Sequence, residues 1–374
     1  MKQLFKYIMI LLVSFILLNA KENIALKHVS EVKVSNVVWL MGSRLLQHRK
    51  SIFLVNGYDE NIITIVDFKN TQNPFVINNF KVANWRDLNS VSKNNPTDIR
   101  DIQVTPDEKY LFVSIYNMVK IYEIKNLKDI SYVGMIELKN ARDLALSNDG
   151  KYLFAYGDTK DFSFQYGIYN IENIKNIQYI ASYPKFWDGL ISFRDNQYQV
   201  YRKFPESVCF TLTDSTDILH PKVLDAVSDI CNRRGSFSQT VNMSDFEFSK
   251  DNKYLYIAGY LGGIVVYNIE DNKLKFIRQT SGRHWGMLFN CTKAVTNLAL
   301  YNKGNTLFIS TPPYDEDGYL KLSEPEYINC IEGVDKTIAI SADRLWLVED
   351  SGLLIALLEE KGTLNIYSIE HGGK

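Results

Sequence analysis

Short apolar runs alternate with polar turns along this chain, and the pattern recurs in recognisable blocks. Residues 101–125, 143–172 and 245–270 each contain an apolar run, a polar turn, an aromatic-rich run, a second turn and a β-branched run. Runs of four to eight such residues bounded by turn residues are typical of β-strands. A unit of three or four short strands cannot bury both faces alone, so neighbouring units must stack. A closed ring of such units is a β-propeller, and the pattern therefore predicts an all-β fold.

The β-branched strand that ends each block gives the number of units. Five segments share its pattern, two weaker segments fill the gaps, and the spacing of about 45 to 55 residues is typical of propeller blades. The sequence therefore predicts seven blades, with residues 204–240 as the most divergent segment and weak helical spacing within residues 217–230. The seven segments are residues 62–68, 118–124, 166–171, 207–212, 264–269, 318–322 and 363–369.

The two ends of the chain predict how the ring closes. The sequence stops soon after a third strand, so the last blade lacks its outermost strand. Residues 27–34 (KHVSEVKV) form an extra strand-like segment near the start. Pairing this segment with the last blade would remove open sheet edges. We therefore expect an N-terminal strand to close the ring.

The first 20 residues have the pattern of a signal peptide. Lys2 and Lys6 precede an apolar stretch at residues 8–18, and Ala20 offers a small residue for cleavage. The stretch is shorter than the roughly 20 residues that a transmembrane helix needs. We predict a signal peptide at 1–20 and a single propeller domain at 21–374, periplasmic or secreted, with no membrane span after cleavage. An uncleaved N-terminal anchor is the alternative.

The charge balance limits the class of partner. The chain has 42 basic and 43 acidic residues, a net charge of −1 that becomes −3 without the two leader lysines. Nucleic-acid-binding domains carry a basic stripe, and membrane-surface segments are polybasic. We therefore expect no nucleic-acid partner, and we expect a monomer that binds another exported protein or a small ligand.

Four cysteines are present, at Cys209, Cys231, Cys291 and Cys330. Their spacing matches no paired-cysteine metal motif, and no histidine cluster accompanies them. Disulfides form in oxidising compartments, so one or two disulfides are possible, with three possible connectivities. Four buried thiols are the alternative.

Parts of the chain resemble a known repeat family. Residues 63–80 (ITIVDFKNTQNPFVINNF) are similar to the LVIVD repeat, and residues 119–138 and 167–183 repeat its layout without the proline. LVIVD proteins are exported or cell-surface bacterial and archaeal β-propellers, mostly without assigned chemistry. The aromatic strands YLFVS, YLFAY and YLYIA also resemble the broader YVTN/lactonase-like and WD40-like propellers. The resemblance implies a fold and a location, and it supplies no active site.

A polar residue opens the innermost strand of several blocks: Asp101, Asp143, Asp245 and Asn297. Clustered oxygen ligands could bind a hard cation near the channel. We favour a structural role, in which these side chains hydrogen-bond backbone groups between blades, and we predict no metal site. Arg100 and Arg142 stand next to two of these aspartates and would neutralise them.

The connections between blades contain aromatic and charged residues that would gather on one face of the ring. They could form a rim at the channel mouth that binds a partner or a small ligand, because Trp and Arg are common interface anchors. Each Trp could equally pack between blades. The candidate rim residues are Trp85, Arg86, Trp187, Asp188, Arg283, His284 and Trp285.

No catalytic motif is evident: the sequence has no GxSxG elbow, Gly-rich phosphate loop or HExxH. The leading hypothesis is therefore a non-enzymatic binding or scaffold protein with no catalytic residue and no cofactor. One alternative is a lactonase-like hydrolase of a small ester or lactone that uses His284 and nearby acids. Another is a propeller associated with a redox cofactor, although no haem-attachment motif occurs.

Overall fold

The structure, a computed structural model, describes residues 23–34, 40–56, 61–82, 99–115, 117–159, 165–182, 191–194, 198–202, 210–227, 243–259, 263–279, 297–301, 303, 305–311, 326–328, 331, 334–359 and 361–372. Within these ranges the regular structure consists of β-strands and one short 3-10 turn, Glu349–Ser351. No helix long and apolar enough to span a bilayer occurs in the part of the chain that is described. The predicted all-β class is confirmed.

The described strands form seven four-stranded sheets, numbered here along the chain. Six sheets use strands that are consecutive in sequence, and the seventh combines the last three strands with the first. Sheet 1 contains β2 (Leu40–Leu46), β3 (Ser51–Asn56), β4 (Ile62–Asp67) and β5 (Phe75–Lys81). Sheet 2 contains β6 (Ile99–Val104), β7 (Tyr110–Ile115), β8 (Met118–Asn126) and β9 (Asp129–Glu137). Sheet 3 contains β10 (Leu144–Leu146), β11 (Tyr152–Gly157), β12 (Gln165–Asn170) and β13 (Gln178–Ser182).

The remaining sheets follow the same layout with one rearrangement. Sheet 4 contains β14 (Ile191–Arg194), β15 (Tyr198–Arg202), β16 (Phe210–Asp214) and β17 (Lys222–Val227). Sheet 5 contains β18 (Met243–Phe248), β19 (Tyr254–Gly259), β20 (Gly263–Glu270) and β21 (Lys273–Gln279). Sheet 6 contains β22 (Asn297–Tyr301), β23 (Thr306–Thr311), β24 (Glu326–Ile328) and β25 (Lys336–Ser341). Sheet 7 contains β26 (Arg344–Val348), β27 (Leu353–Leu358), β28 (Thr363–Gly372) and β1 (Asn23–Lys33).

The position of a strand within its sheet explains its hydrophobic pattern. The second strand β7 is buried at every residue after Tyr110, because a neighbouring sheet covers each of its faces. The outermost strand β9 is mostly exposed, and its Tyr132 packs edge-on against Tyr122 of β8, with ring centroids 5.8 Å apart. Middle strands therefore read as continuous apolar runs, as in other sheets that are covered on both faces.

Among the described residues, seven hydrophobic clusters hold the sheets together, one at each junction. One cluster joins sheets 1 and 2, and five more join each later pair of consecutive sheets. A last cluster joins sheet 7 back to sheet 1 through residues such as Ile355 and Ile52. The packing therefore returns to its starting point and closes a ring. The predicted β-propeller fold is confirmed.

The predicted closure by an N-terminal strand is also confirmed. β1 pairs antiparallel with β28 and forms the outer edge of sheet 7. Beyond the paired residues, the Val34 N–H donates to the Gly362 carbonyl at 2.8 Å. We call β1 and Val34 together the clasp. Lys336 of sheet 6 donates to the Ile24 carbonyl at 2.6 Å, so the clasp also contacts the preceding sheet. The strand is longer than the predicted segment because it begins at Asn23.

Three predictions about the divergent units need correction or stay open. The weak helical spacing at 217–230 was misleading, since β17 occupies Lys222–Val227. The third strand of sheet 4 is β16, which begins three residues after the predicted start at 207. The predicted strand at 318–322 lies outside the described residues, and the third place in sheet 6 is held by β25, parallel to β23.

A repeated hairpin turn joins the first two strands in sheets 2, 3 and 5. In sheet 3 the Ser147 hydroxyl donates to Asp149 at 2.6 Å and accepts from the Tyr152 N–H at 3.0 Å. The residue after the aspartate has a positive φ, 69° at Gly150, which glycine adopts without steric cost. Thr105 with Asp107, and Ser249 with Asp251, repeat the hydroxyl–carboxylate contact at 2.7 Å. Recurrence of this turn explains why these three blocks align most clearly in sequence.

Candidate functional site: a polar ring on the innermost strands

The rim predicted from the sequence falls outside the residues that the structure describes, and so do the cysteines. Whether the rim binds a partner, and whether disulfides form, therefore remain predictions. The residues concerned are Trp85, Arg86, Trp187, Asp188, Arg283, His284, Trp285, Cys209, Cys231, Cys291 and Cys330.

The structure describes the polar residues that open the innermost strands. The register of strand pairing shows that these residues occupy equivalent places in their sheets. Each stands opposite the fifth residue of the second strand of its sheet, as Asp101 does opposite Ser114 of β7. Arg344 of sheet 7 takes the same place, opposite Leu357, and Gly42 takes it in sheet 1. We call the side chains at this level the polar ring: Asp101, Asp143, Asp245, Asn297 and Arg344.

Asp101 and Asp245 make the same contacts in two different sheets. Asp101 accepts from the N–H of its neighbour Ile102 at 2.8 Å and from Leu144 N–H, on β10 of the next sheet, at 2.9 Å. Asp245 accepts from Phe246 N–H at 3.0 Å and from Leu298 N–H, on β22 of the next sheet, at 2.9 Å. Innermost strands have one edge without a partner strand, and these carboxylates satisfy backbone donors there.

Asn297 continues the series into sheet 7. Its Oδ1 accepts from the Leu345 N–H at 2.8 Å, and its Nδ2 donates to Asp245 of the preceding sheet. One side chain therefore links three consecutive sheets. The structural role that the sequence predicted for these residues, hydrogen bonding between blades, is confirmed for Asp101, Asp245 and Asn297.

The ion-pair partner of Asp101 comes from the preceding sheet, which the sequence reasoning missed. The Arg44 guanidinium lies 3.4 Å from Asp101 Oδ1 and donates to Gln103 Oε1 at 2.9 Å. Gln103 in turn donates to the Leu144 carbonyl at 2.7 Å. Arg44 and Asp101 are 57 residues apart, so no local pattern indicated this pair. The sequence predicted that Arg100 neutralises Asp101, whereas the ion pair in the structure is formed by Arg44.

Burial changes the acidity of both carboxyl groups. Burial raises the pKa of Asp101, and the nearby Arg44 charge together with two backbone N–H groups opposes the increase. Burial raises the pKa of Asp245 to about 6, against the opposing effects of the Leu298 and Phe246 N–H groups and of Arg344. Arg344 lowers the pKa of both groups, so its charge acts on sheets 2 and 5 from sheet 7.

Arg344 is the functional candidate that the sequence reasoning did not find. It is half-buried, and among the described residues no side chain forms a hydrogen bond or an ion pair with its guanidinium. Alignment of residues 344–369 with the clearer blocks would have placed it level with Asp101. Residue type alone does not indicate that Arg344 is equivalent to the other ring residues, because they are acids or amides and Arg344 is basic.

The described polar ring can therefore present both signs of charge on a rigid support. Within the described residues, no group of three or more His, Cys, Asp or Glu is arranged to hold a metal ion. The described histidines lie away from the ring: His371 contacts Tyr301 at 2.9 Å, and His220 contacts Asp217 at 3.0 Å on an exposed turn. The chemistry available from these side chains is recognition of charged and hydrogen-bonding groups.

Comparison with known proteins adds little to this geometry. No family model and no curated protein matches the chain. A periplasmic gluconolactonase of Pseudomonas aeruginosa is similar in structure, at 11% identity and a TM-score of 0.47, over 64% of this chain and 69% of that one. A protein from Lactobacillus plantarum is similar at 13% identity and a TM-score of 0.48, over 63% and 70% of the respective chains. Likenesses this distant carry no argument about activity or substrate.

Proposed function

We propose that the chain is an exported, seven-bladed β-propeller of LVIVD-repeat type that binds a partner or a small ligand at its channel mouth and catalyses no reaction. The observation that carries the proposal is the polar ring, in which charged side chains are held in place by hydrogen bonds between sheets. Binding sites need few but well-positioned polar groups on a rigid support. A propeller places such groups around one channel.

The contacts of the ring favour binding over catalysis. Asp101 and Asp245 each accept hydrogen bonds from two backbone N–H groups, so both carboxylates have a structural role in the folded chain. A nucleophile needs a base within hydrogen-bond reach, and that base is usually oriented by a third group. Within the described ranges, no histidine contacts a ring residue. Export is supported by the leader-like segment at residues 1–20.

Native mass spectrometry of the protein purified gently from the exported fraction of its own host tests this proposal. We expect a chain that begins at Lys21 and carries a second polypeptide or a small organic molecule. Mutation of the predicted rim residues Trp85, Trp187 and Trp285 together should remove that mass and leave the circular dichroism spectrum unchanged. Recovery of the chain only from the cytoplasm would contradict export. A bare chain in repeated preparations would contradict stable binding.

A second candidate is hydrolysis of a small ester or lactone, and one observation favours it. The Asp245 carboxyl, with a pKa of about 6, is suited to accept a proton near neutral pH. A panel of lactones and esters, assayed with the wild type and with Asp245→Asn, tests this activity. Turnover that is lost in the variant would support the hydrolase. Turnover that the variant retains, or no turnover by the wild type, would reject it.

A further inference from the structure

Sheets 5, 6 and 7 carry a carboxylate, an amide and a guanidinium at equivalent places of the polar ring. Asn297 donates to Asp245 on one side and accepts from the backbone of Leu345, next to Arg344, on the other. Asp245 and Arg344 therefore belong to sheets that are not adjacent, with Asn297 between them. No ion pair joins the two among the described residues.

Asp245 has hydrogen-bonding capacity left after its structural contacts. A carboxylate has about four acceptor sites. Asp245 uses three, because Oδ1 accepts from Phe246 N–H, while Oδ2 accepts from Leu298 N–H and from Asn297 Nδ2. Asp101 differs, since Arg44 already neutralises it. Among the described side chains, no cation lies at ion-pair distance from Asp245.

Arg344 supplies the opposite charge on the same level of the ring. A guanidinium carries five N–H donors in a planar fork that matches a carboxylate. In sheets 2, 5 and 6 the equivalent side chain contacts the next sheet, but Arg344 cannot accept the corresponding N–H. The next sheet also has Gly42 at this place, so no ring side chain stands opposite Arg344 there.

A simple anion or a simple cation would fit this arrangement poorly. Asp245 lies at the level of Arg344 in the polar ring, so an anion on Arg344 would be repelled by the Asp245 carboxylate. A cation on Asp245 would be repelled by Arg344. A molecule with both charges meets an opposite charge at each end.

We infer that Asp245 and Arg344 bind a small zwitterion, with its carboxylate on the Arg344 guanidinium and its ammonium group on the Asp245 carboxylate. The inference rests on the proposed binding function and names the ligand class of that channel. Asn297 belongs to the sheet between those of Asp245 and Arg344, so the ligand must reach from sheet 5 to sheet 7. The length of the carbon chain between ammonium and carboxylate should therefore decide affinity.

Calorimetric titration with glycine, 4-aminobutanoate and 6-aminohexanoate tests the inference, with butanoate and butylamine as singly charged controls. We expect one of the amino acids to bind at least about tenfold more tightly than either control, because two charge-assisted contacts replace one. Arg344→Gln should weaken that binding about tenfold or more, and Arg344→Lys should restore part of it. Arg278→Gln, on the exposed outermost strand β21, is the matched control and should leave the affinity unchanged.

Two results would overturn the inference. One is a titration in which none of the amino acids releases or absorbs heat at ~10 mM, because the affinity would then be negligible. The other is equal affinity in the wild type and in a folded Arg344→Gln variant with an unchanged thermal midpoint. If the zwitterions fail while native mass spectrometry finds another ligand or a protein partner, the inference falls and the proposed binding function stands. If both experiments find nothing, both fall.

Discussion

Two junctions of the ring are joined by different interactions. One lies between sheets 2 and 3, and the other lies between sheets 7 and 1. At the first, Asp101 accepts a hydrogen bond from Leu144 of the next sheet, and Gln103 donates to the same residue. At the second, the equivalent places hold Arg344 and Gly42. That junction is joined by an apolar cluster and by β1, whose Ser30 hydroxyl donates to the Thr71 carbonyl of sheet 1.

The difference shows how the ring divides structural and binding roles. Where consecutive repeats meet, polar side chains are needed to satisfy the free edges of innermost strands. Where the two chain ends meet, pairing of β1 with β28 supplies the connection on the outer side of the sheet. The ring residue of sheet 7 is thereby released from a structural contact and is free to differ in charge. This is why we place ligand recognition at Arg344.

Removal of the clasp should have the largest effect. Deletion of residues 21–34 takes away buried Ile24, Val32 and Val34 and exposes the edge of β28. Burial of each such side chain contributes about 1.5–3 kcal/mol, so we expect the free energy of unfolding to fall by about 5 kcal/mol or more. Urea titration followed by circular dichroism measures the loss.

A milder variant tests the same clasp if the deletion variant does not fold. Gly362 has a φ of 52°, and an added Cβ would lie 2.7 Å from the Val34 carbonyl oxygen. Gly362→Ala should therefore cost about 1–3 kcal/mol, since both the backbone conformation and the contact become strained. An unchanged midpoint in both variants would show that β1 does not hold the ring closed.

Loss of the hydrogen bonds that Asp101 makes between sheets 2 and 3 should have the next largest effect. Asp101→Ala leaves the N–H groups of Ile102 and Leu144 without their acceptor. Each buried unsatisfied donor costs about 1–3 kcal/mol, so a destabilisation of about 2–5 kcal/mol is expected. Arg344→Ala, at the equivalent place in sheet 7, should cost less than about 1 kcal/mol, because its side chain forms no hydrogen bond or ion pair between the described sheets. Equal losses would contradict the distinction between the two junctions.

The acidity of Asp245 predicts a pH dependence of stability. Its pKa in the folded protein, about 6, lies above the ordinary value of 3.8, so the protonated form favours the folded state. This contribution, up to about 3 kcal/mol, is present below about pH 4 and is lost as the pH rises through about 6. Chemical unfolding at a series of pH values should show the decline.

Two variants identify the source of that decline. Asp245→Asn should remove it, since no carboxyl remains to titrate. Arg344→Gln should move its end to higher pH, because the guanidinium lowers the pKa of Asp245. A decline of the same size and position in all three proteins would assign it to other groups.

The repeated turn should give the smallest effects, with opposite signs in two sheets. Gly150→Ala introduces a Cβ that lies 2.8 Å from Pro106 Cδ at a φ of 69°, and should cost about 1–2 kcal/mol. Asn252 occupies the same turn position in sheet 5 with a φ of 57°, and its buried Oδ1 has no hydrogen-bond partner in the described structure. Asn252→Gly should therefore be neutral or stabilise by up to about 1 kcal/mol. Thermal unfolding compares the two, and destabilisation by both would contradict this account.

Local pattern was sufficient to predict the regular part of the fold. The third strands β4, β8, β12, β20 and β28 lie where their β-branched pattern predicted them, because middle strands covered on both faces must be apolar throughout. The pattern did not indicate β25, which holds the third place in sheet 6 and runs parallel to β23. A connection that reverses the order of two strands leaves no periodic signal in the sequence.

The candidate site was predictable in part. A recurring Asp or Asn indicated a structural device, and the contacts of Asp101, Asp245 and Asn297 confirm that role. Arg44 and Arg344 were missed because their relation to these residues is set by pairing register and by sheets far apart in the chain. The rim residues at Trp85, Trp187 and Trp285 stay predictions.

The sequence by itself determined the all-β class, the repeating sheet, its hairpin turns and the closing N-terminal strand. These features depend on local hydrophobic pattern and turn chemistry, which act over a few neighbouring residues. Only the tertiary structure decided which charged groups share the channel, because closure of the ring brings Asp245, Asn297 and Arg344 together across about 100 residues of chain. Hydrogen bonds and charges act through space, and their partners are fixed only when the sheets pack.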